Sequence, residues 1–320
     1  MKLFNTDKIH IEVSSKCTLK CPRCPRTELQ PEQLNREYSL NQFQHAFPLQ
    51  FLNKVNKIIF CGDIGDPIYA TEFIEIIDYV KHCNTNVHIV TNGSYKKSKW
   101  WKKLGSLLND NDIVQFSIDG WDNVSNNLYR INSDYNSIIE GIKSLKASSD
   151  CRIHWSSIYF NFNENNMDSI IHQAQELGVD LWQGVQSTKF DGRYLENGVD
   201  KLKPKKQQNV SNISIYGKDI VVTGRKRKIE ITHTVDRHAW AKCLNWKKEL
   251  FVNVEGLVFP CPWFNSGYQD NDFVQKYKNR INIRQRPMEE ILNDKLWQEL
   301  LVRFETMPLE ICKIKCKNDR

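Results

Sequence analysis

No apolar run in this sequence approaches the roughly 18 residues that a membrane-spanning helix needs, so a membrane-embedded chain and a membrane partner are not expected. The start, MKLFNTDKIH, turns polar too early for the apolar core of a signal peptide. No internal repeat or low-complexity tract is visible, which sets repeat architectures aside. Neither sign of charge dominates: 45 Lys and Arg against 38 Asp and Glu leave +7. That balance permits an anionic substrate or a nucleic acid and requires neither. The densest basic run, Arg225-Lys226-Arg227-Lys228, reads as solvated loop or edge-strand charge. These absences lead us to expect a soluble, cytoplasmic protein.

What is present is globular and ordered by period. The 320 residues are 40% hydrophobic and 26% charged, a composition that suits one large or two modest domains. Lys8–Val13 alternates Ile9, Ile11 and Val13 against Lys8, His10 and Glu12, the period of a half-buried strand. Further strands are expected at Val55–Phe60, Val87–Val90, Ile113–Ile118, Ile153–Phe160 and Val179–Val185. Between them lie helical stretches at Thr71–His82, around Trp100, Trp101 and Leu104, and at Tyr135–Lys146 and Met167–Leu177. Strands separated by helices imply right-handed crossovers and a parallel sheet. Six such units are too few for a closed eightfold barrel and suit an open one, with chemistry at the C-terminal ends of the strands.

Near Ser187 the alternation stops, and short β-branched runs follow at Ile213–Tyr216, Ile220–Val222 and Ile229–Thr232. The expected organisation is α/β: a partial (β/α)6 barrel over 1–186, a linker with short strands over 187–240, and a small α+β module over 241–320. The module's apolar segments at 251–254 and 257–259 flank Gly256, a hairpin turn, and a helix is expected around Pro287–Phe304.

Ten cysteines carry the chemistry. In a chain without a secretory signal they read as metal or redox sites rather than as a disulfide framework. Cys17, Cys21 and Cys24, spaced C-x3-C-x2-C, fall in the loop after the first strand. Three thiolates on one tight loop ligate three irons of a [4Fe–4S] cube and leave the fourth iron open, as a catalytic centre requires. Zinc is the alternative and would need a fourth ligand, for which His10 is nearest. A second group, Cys243, Cys261, Cys312 and Cys316, is enough for one fully ligated cluster or for a four-cysteine zinc site. Cys61, Cys83 and Cys151 read as buried thiols, with Cys61 alone placed to touch substrate. Trp155, Trp182, Trp246 and Trp263 are expected in the core or a pocket wall; His10, His88 and His154 fall in strands, with core packing the expectation for each and a place inside the barrel the alternative.

With this loop the sequence resembles the radical S-adenosylmethionine (radical SAM) enzymes over residues 7 to about 186. The resemblance implies a first [4Fe–4S] cluster whose open iron binds SAM, and a 5′-deoxyadenosyl radical that takes hydrogen from substrate. The segment Gly62-Asp63-Ile64-Gly65-Asp66-Pro67 resembles the family's Gly-Gly-Glu-Pro turn, with Ile64 and Asp66 as departures. Ser117-Ile118-Asp119-Gly120 resembles its Ser-x-Asp-Gly, followed by Tyr129-Arg130. The resemblance thus implies Gly65, Asp66, Asn92, Ser117, Asp119 and Arg130 as SAM-binding candidates. For Asn92 the other reading is a closed turn, and for Arg130 a surface ion pair. Arg23 stands where the family usually carries an aromatic residue near adenine.

The second cysteine group resembles the SPASM and shorter twitch extensions, and four cysteines suit a twitch module with one auxiliary [4Fe–4S] cluster. The expected function is hydrogen abstraction from a small molecule, for instance a dehydrogenation, with peptide modification as the alternative. The expectation of a small molecule comes from the first strand beginning near residue 8, with no recognition domain before it. A reductant such as flavodoxin or ferredoxin is the implied protein partner. From a different class, a zinc-stabilised nucleic-acid-binding protein is kept open by the positive charge.

Overall fold

The computed structural model describes residues 7–28, 35–187, 190, 195–205, 211–216, 219–224, 249–265, 272–297 and 299–300. Six parallel strands follow the expected order: β1 Lys8–Ile11, β2 Lys57–Phe60, β3 Asn86–Thr91, β4 Ile113–Ser117, β5 Arg152–Ile158 and β6 Leu181–Val185. The helices are α1 Leu40–Ala46, α2 Leu49–Leu52, α3 Phe73–Lys81, α4 Ser98–Gly105, α5 Asn123–Asn127, α6 Tyr135–Lys146 and α7 Met167–Glu176. Strands and long helices lie within a few residues of their expected bounds; α1, α2 and α5 were not foreseen, being too short to show a helical period.

One sheet of ten strands runs through the described residues in the order β10-β9-β1-β2-β3-β4-β5-β6-β7-β8. The antiparallel hairpin of β7 Ser211–Tyr216 and β8 Asp219–Gly224 continues it from β6, so the two expected short runs there are strands. At the opposite edge β9 Glu249–Val252 adds to β1 in parallel, Ile9 beside Leu250 and Ile11 beside Val252. β10 Val258–Phe259 folds back on β9 through Gly256, whose φ of 98° suits glycine. The barrel and the C-terminal hairpin are therefore one hydrogen-bonded sheet. α8 Asp272–Tyr277 and α9 Met288–Leu292 follow. The long helix expected from Pro287 is broken: a turn at 293–295 separates α9 from helical residues 296–297. The expected strand 229–232, Trp246 and residues 301–304 of that helix lie outside the described residues.

The period-2 burial of the strands sorts two faces. Phe60 meets Phe73 of α3 edge-on at 5.5 Å, and Phe116 meets Trp101 of α4 at 5.3 Å, so one face packs under the helices. Residues of opposite parity line the concave side, where His88 and His154 rings stand 6.3 Å apart and His88 Nε2 lies 3.2 Å from Gln115 Oε1. That face is only half-buried, which leaves an open lumen.

Candidate cluster and cofactor site

The three N-terminal cysteines sit on a loop held from both sides. Cys24 N donates to the Cys21 carbonyl at 3.1 Å, closing a tight turn, and Leu19 N donates to Cys17 Sγ at 3.4 Å. Thr18 Oγ1 and Tyr69 OH are 3.0 Å apart, Asn132 Nδ2 donates to the Thr18 carbonyl at 2.7 Å, and Lys20 N to the Ile131 carbonyl at 2.9 Å. None of the three is in a disulfide, and all are half-buried. Burial pushes Cys17 up to about 12, with Asp66, Cys21 and Cys24 adding to it. Cys21 is pushed up to about 11 by burial, against the pull of Arg130. Thiols this close feel one another's charge, so ligation must exchange protons for a cation. Among the described residues no three His, Cys, Asp or Glu side chains stand close enough to hold a single metal ion. Three cysteine thiols on one anchored loop fit the ligand set of an iron–sulfur cluster.

The turn after β2 is fastened by a residue the sequence analysis had not singled out. Glu12, fully buried, accepts hydrogen bonds from Asp63 N and, at 3.0 Å, from Ile64 N. Burial first, then the charge of Asp63, pushes its carboxyl up to about 8. Gly65 lies against the segment between β1 and the cysteine loop: a methyl there would overlap the Ser14 carbonyl, and Asp66 N donates to the Lys16 carbonyl at 2.9 Å. Asp66 is buried and accepts from Thr91 Oγ1 at 2.9 Å and from Asn92 N and Nδ2 at 2.6 Å each. Its carboxyl is pushed up to about 6 by burial, with these donors opposing. The carboxylate therefore ties the β2 turn to the end of β3. Asn92 Nδ2 also lies 3.6 Å from Cys17 Sγ, a direct side-chain link between a SAM-binding candidate and a cluster cysteine.

The turn after β4 is held differently. Asp119 is fully buried; its Oδ2 lies 2.8 Å from Arg130 Nε in an ion pair set off the ideal hydrogen-bond line, and its Oδ1 accepts from Ile158 N at 2.7 Å. Burial raises the Asp119 carboxyl and Arg130 lowers it. Two buried asparagines complete the turn. Asn126 Oδ1 accepts from Asp119 N and Gly120 N, and Asn163 Nδ2 donates to the Asp119 and Ile158 carbonyls. Ser117 ends β4 half-exposed. Arg130 is thus a buried partner of Asp119, close enough to Cys21 to lower its thiol.

Arg23, in the aromatic position of the resemblance, is buried, pairs with Asp200 and lies 4.5 Å over the Phe190 ring. The loop after β6 therefore contacts the cluster loop. Cys61 is raised by burial to about 12, and Cys83 and Cys151 are buried. Trp155 and Trp182 are core residues as expected; Trp263 is not, because the next residue, Phe264, takes the buried position of that turn. The three histidines face the lumen rather than the packed core, and burial lowers each to about 4. Of the second cysteine group, Cys261 follows β10 and is half-buried; Cys243, Cys312 and Cys316 lie outside the described residues.

An open parallel barrel with a thiol-bearing loop at the C-terminal end of its first strand defines a metallocluster enzyme. The chain belongs to the radical SAM superfamily, whose model matches residues 11–176, and an iron–sulfur cluster-binding SPASM domain matches residues 243–317. A [4Fe–4S] cluster, SAM and auxiliary iron–sulfur ligation accompany those domains. The chain is 28% identical over 116 residues to a tungsten-containing aldehyde ferredoxin oxidoreductase cofactor-modifying protein of Pyrococcus furiosus, a match spanning 35% of this chain and 30% of that protein. Among solved structures, SuiB of Streptococcus suis superposes with a TM-score of 0.59 at 13% identity, over 95% of this chain and 66% of SuiB. The enzyme anSMEcpe, solved with AdoMet and the Cp18Cys peptide, gives 0.55 at 16% identity, over 97% and 86%. At such identities the likeness is one of fold.

Proposed function

We propose that Cys17, Cys21 and Cys24 hold the SAM-cleaving cluster and that the chain abstracts hydrogen from a polar substrate presented in the barrel lumen. The carrying observation is the convergence of the thiol loop, the Asp66–Asn92 corner and the Asp119–Arg130 pair at one end of the sheet. When bound, the cluster and SAM supply a 5′-deoxyadenosyl radical that takes a hydrogen atom from a C–H bond. The chain's own share is positional. Glu12 and Gly65 fix the backbone of the β2 turn, whose free edge faces SAM's amino group in this reading. Ser117 stands at the mouth beside the Asp119–Arg130 pair, whose remaining guanidinium N–H groups suit a carboxylate. The lumen offers His10, His88, Gln115 and His154, with the imidazoles neutral near pH 7, as hydrogen-bonding partners for substrate.

For the substrate, a peptide side chain is the reading we favour over a free small molecule. SuiB has been solved with its precursor peptide SuiA, and anSMEcpe with a peptide. Cys243, Cys261, Cys312 and Cys316 are assigned in the same proposal to the auxiliary cluster. Anaerobic reconstitution of the full chain tests both assignments. Two four-iron clusters give about eight irons per chain, and replacing Cys17, Cys21 and Cys24 by Ala is expected to halve the iron and abolish 5′-deoxyadenosine formation with dithionite. Loss of all iron, or of none, contradicts the two-site assignment. An untargeted comparison of peptides and metabolites from cells with and without the gene then separates the substrate classes.

A further inference from the structure

The barrel has a second end, away from the cluster loop, and the inference here rests on the reading that substrate enters the lumen. At the N-terminal ends of the strands the register sets Lys8 of β1 opposite Lys57 of β2, with Asn86 of β3 next in the row. Two residues further along β3, His88 stands opposite Ile113, and Ile113 opposite Arg152 of β5. Residues opposite one another in a parallel pair share a face, so all of these have lumen parity. Like charges set directly opposite on paired strands are destabilising. Lys57 carries that cost: burial lowers its amine, Lys8 and Arg152 lower it further, and Asp112 opposes them. The carboxylates nearest this floor are committed elsewhere. Asp112 accepts from Val87 N at 2.7 Å and pairs with Lys81 at 2.8 Å; Asp180 accepts from Ile153 N at 2.7 Å and pairs with Lys146 at 3.4 Å. Glu249, opposite Lys8 on its β9 side, balances one of these cations at most.

Above the cations the lumen turns to neutral donors. The His88 and His154 rings meet edge-on at 6.3 Å, and burial, with the charge of Lys57 adding to it, keeps both imidazoles neutral near pH 7. In the tautomer that donates from His88 Nε2 to Gln115 Oε1, at 3.2 Å, the Gln115 amide keeps its N–H groups for a ligand. Cations beside neutral donors around a half-buried space are the complement of an oxyanion. We propose that the floor of the lumen, built by Lys8, Lys57, Arg152, His88, His154 and Gln115, binds an oxyanion, carboxylate or phosphate, that the substrate carries away from its reacting carbon. Four residues of strand, about 13 Å, separate Lys57 from Cys61 just after β2 at the mouth. The oxyanion is therefore held well below the carbon that loses hydrogen.

The test titrates the full reconstituted chain with inorganic phosphate and, separately, with succinate, by calorimetry at pH 7 and constant ionic strength. One saturable site per chain is expected, with shifts of the His88 and His154 ring signals in the NMR spectrum of histidine-labelled protein; the tighter probe names the oxyanion. Lys57→Met is expected to weaken binding about tenfold. Arg152→Gln, at an exposed position, is expected to weaken it by a smaller factor and keeps the test open if Lys57→Met does not fold. Lys102→Met, an exposed lysine of α4, is the control and should leave binding as it was. Absence of saturable binding overturns the proposal, and so does binding that both floor variants leave unchanged or that the control weakens equally. The tighter probe should also suppress, competitively, the rise in 5′-deoxyadenosine that extract of cells lacking the gene produces. A rise untouched by it makes the floor a site for free anion and overturns the assignment to substrate. Saturable binding in a chain that makes no 5′-deoxyadenosine with dithionite strikes the functional reading and leaves the floor standing, whereas SAM cleavage without anion binding does the reverse.

Discussion

Two corners of the barrel mouth do the same work by different physics. At the first, Glu12 and Asp66 hold the β2 turn and the end of β3 with neutral donors only: backbone N–H groups, the Thr91 hydroxyl and the Asn92 amide. At the second, Asp119 holds the β4 turn against β5 and is matched by the guanidinium of Arg130. The first corner touches Cys17 through Asn92, and the second reaches Cys21 through the charge of Arg130. Burial raises the proton affinity of all three carboxyls, to about 8 for Glu12 and about 6 for Asp66, and in Asp119 the guanidinium of Arg130 opposes the rise. A paired one carries its charge into the interior and depends on its partner. The two corners should therefore fail differently.

The largest effect is expected at the charged corner. Arg130→Met leaves Asp119 buried without its cation, which destabilises by about 3–5 kcal/mol, read by denaturant unfolding of the anaerobic protein. Adding Asp119→Asn should recover most of that loss, because a neutral amide no longer needs the guanidinium. If single and double variants unfold alike, the pair is incidental and the contrast between the corners disappears.

The neutral corner is expected to answer to pH instead. The folded-state pKa of Glu12, about 8, lies above its ordinary value of 4.5. The folded chain therefore holds the proton more tightly than the unfolded one. Its contribution to stability is complete below about pH 4.5 and is lost as pH rises through 8, at no more than about 1.4 kcal/mol per pH unit. Glu12→Gln keeps an acceptor for Asp63 N and Ile64 N and removes the titrating proton. Melting temperatures across pH 5 to 9 should thus fall more steeply for the parent than for the variant. Parallel curves would mean that Glu12 is already ionised in the fold.

How much of this was legible follows from the range over which each feature is encoded. The alternation of Ile9 and Ile11 with Lys8 and His10 is local, and β1 appeared where it pointed. The thiol spacing and the Ser117–Gly120 segment are local too, and the structure puts both at the strand ends. Glu12 belonged to that same alternation, yet its role depends on two N–H groups fifty residues away, which no period announces. Asn126 and Asn163 look like ordinary polar residues until the turn they close is in view. The pairing of β9 with β1 joins residues some 240 apart, so a hairpin that reads as a separate module proves continuous with the barrel sheet. Arg23 was legible as a departure, but not as a partner of Asp200.

The smallest expected effect is the sharpest comparison, because it asks whether the neutral corner acts on the cluster at all. Asn92 Nδ2 serves Asp66 Oδ2 at 2.6 Å and Cys17 Sγ at 3.6 Å, while its Oδ1 accepts from Ser94 N at 2.9 Å, so the amide has one orientation. An N–H aimed at a ligating sulfur favours the state with more electron density on the cluster, and removing it lowers the potential. Asn92→Ala is expected to shift the first cluster's midpoint downward by up to about 59 mV, a tenfold change in the one-electron equilibrium, with iron content unchanged. Potentiometric titration followed by EPR reads this without any turnover. Thr91→Val is the control: it loosens Asp66 without touching sulfur, and should leave the potential where it was. A shift in both variants assigns the effect to the fold of the turn. A shift in neither leaves Asn92 as the residue that closes β3, and the Asp119–Arg130 corner as the one of the two that acts on the ligand set.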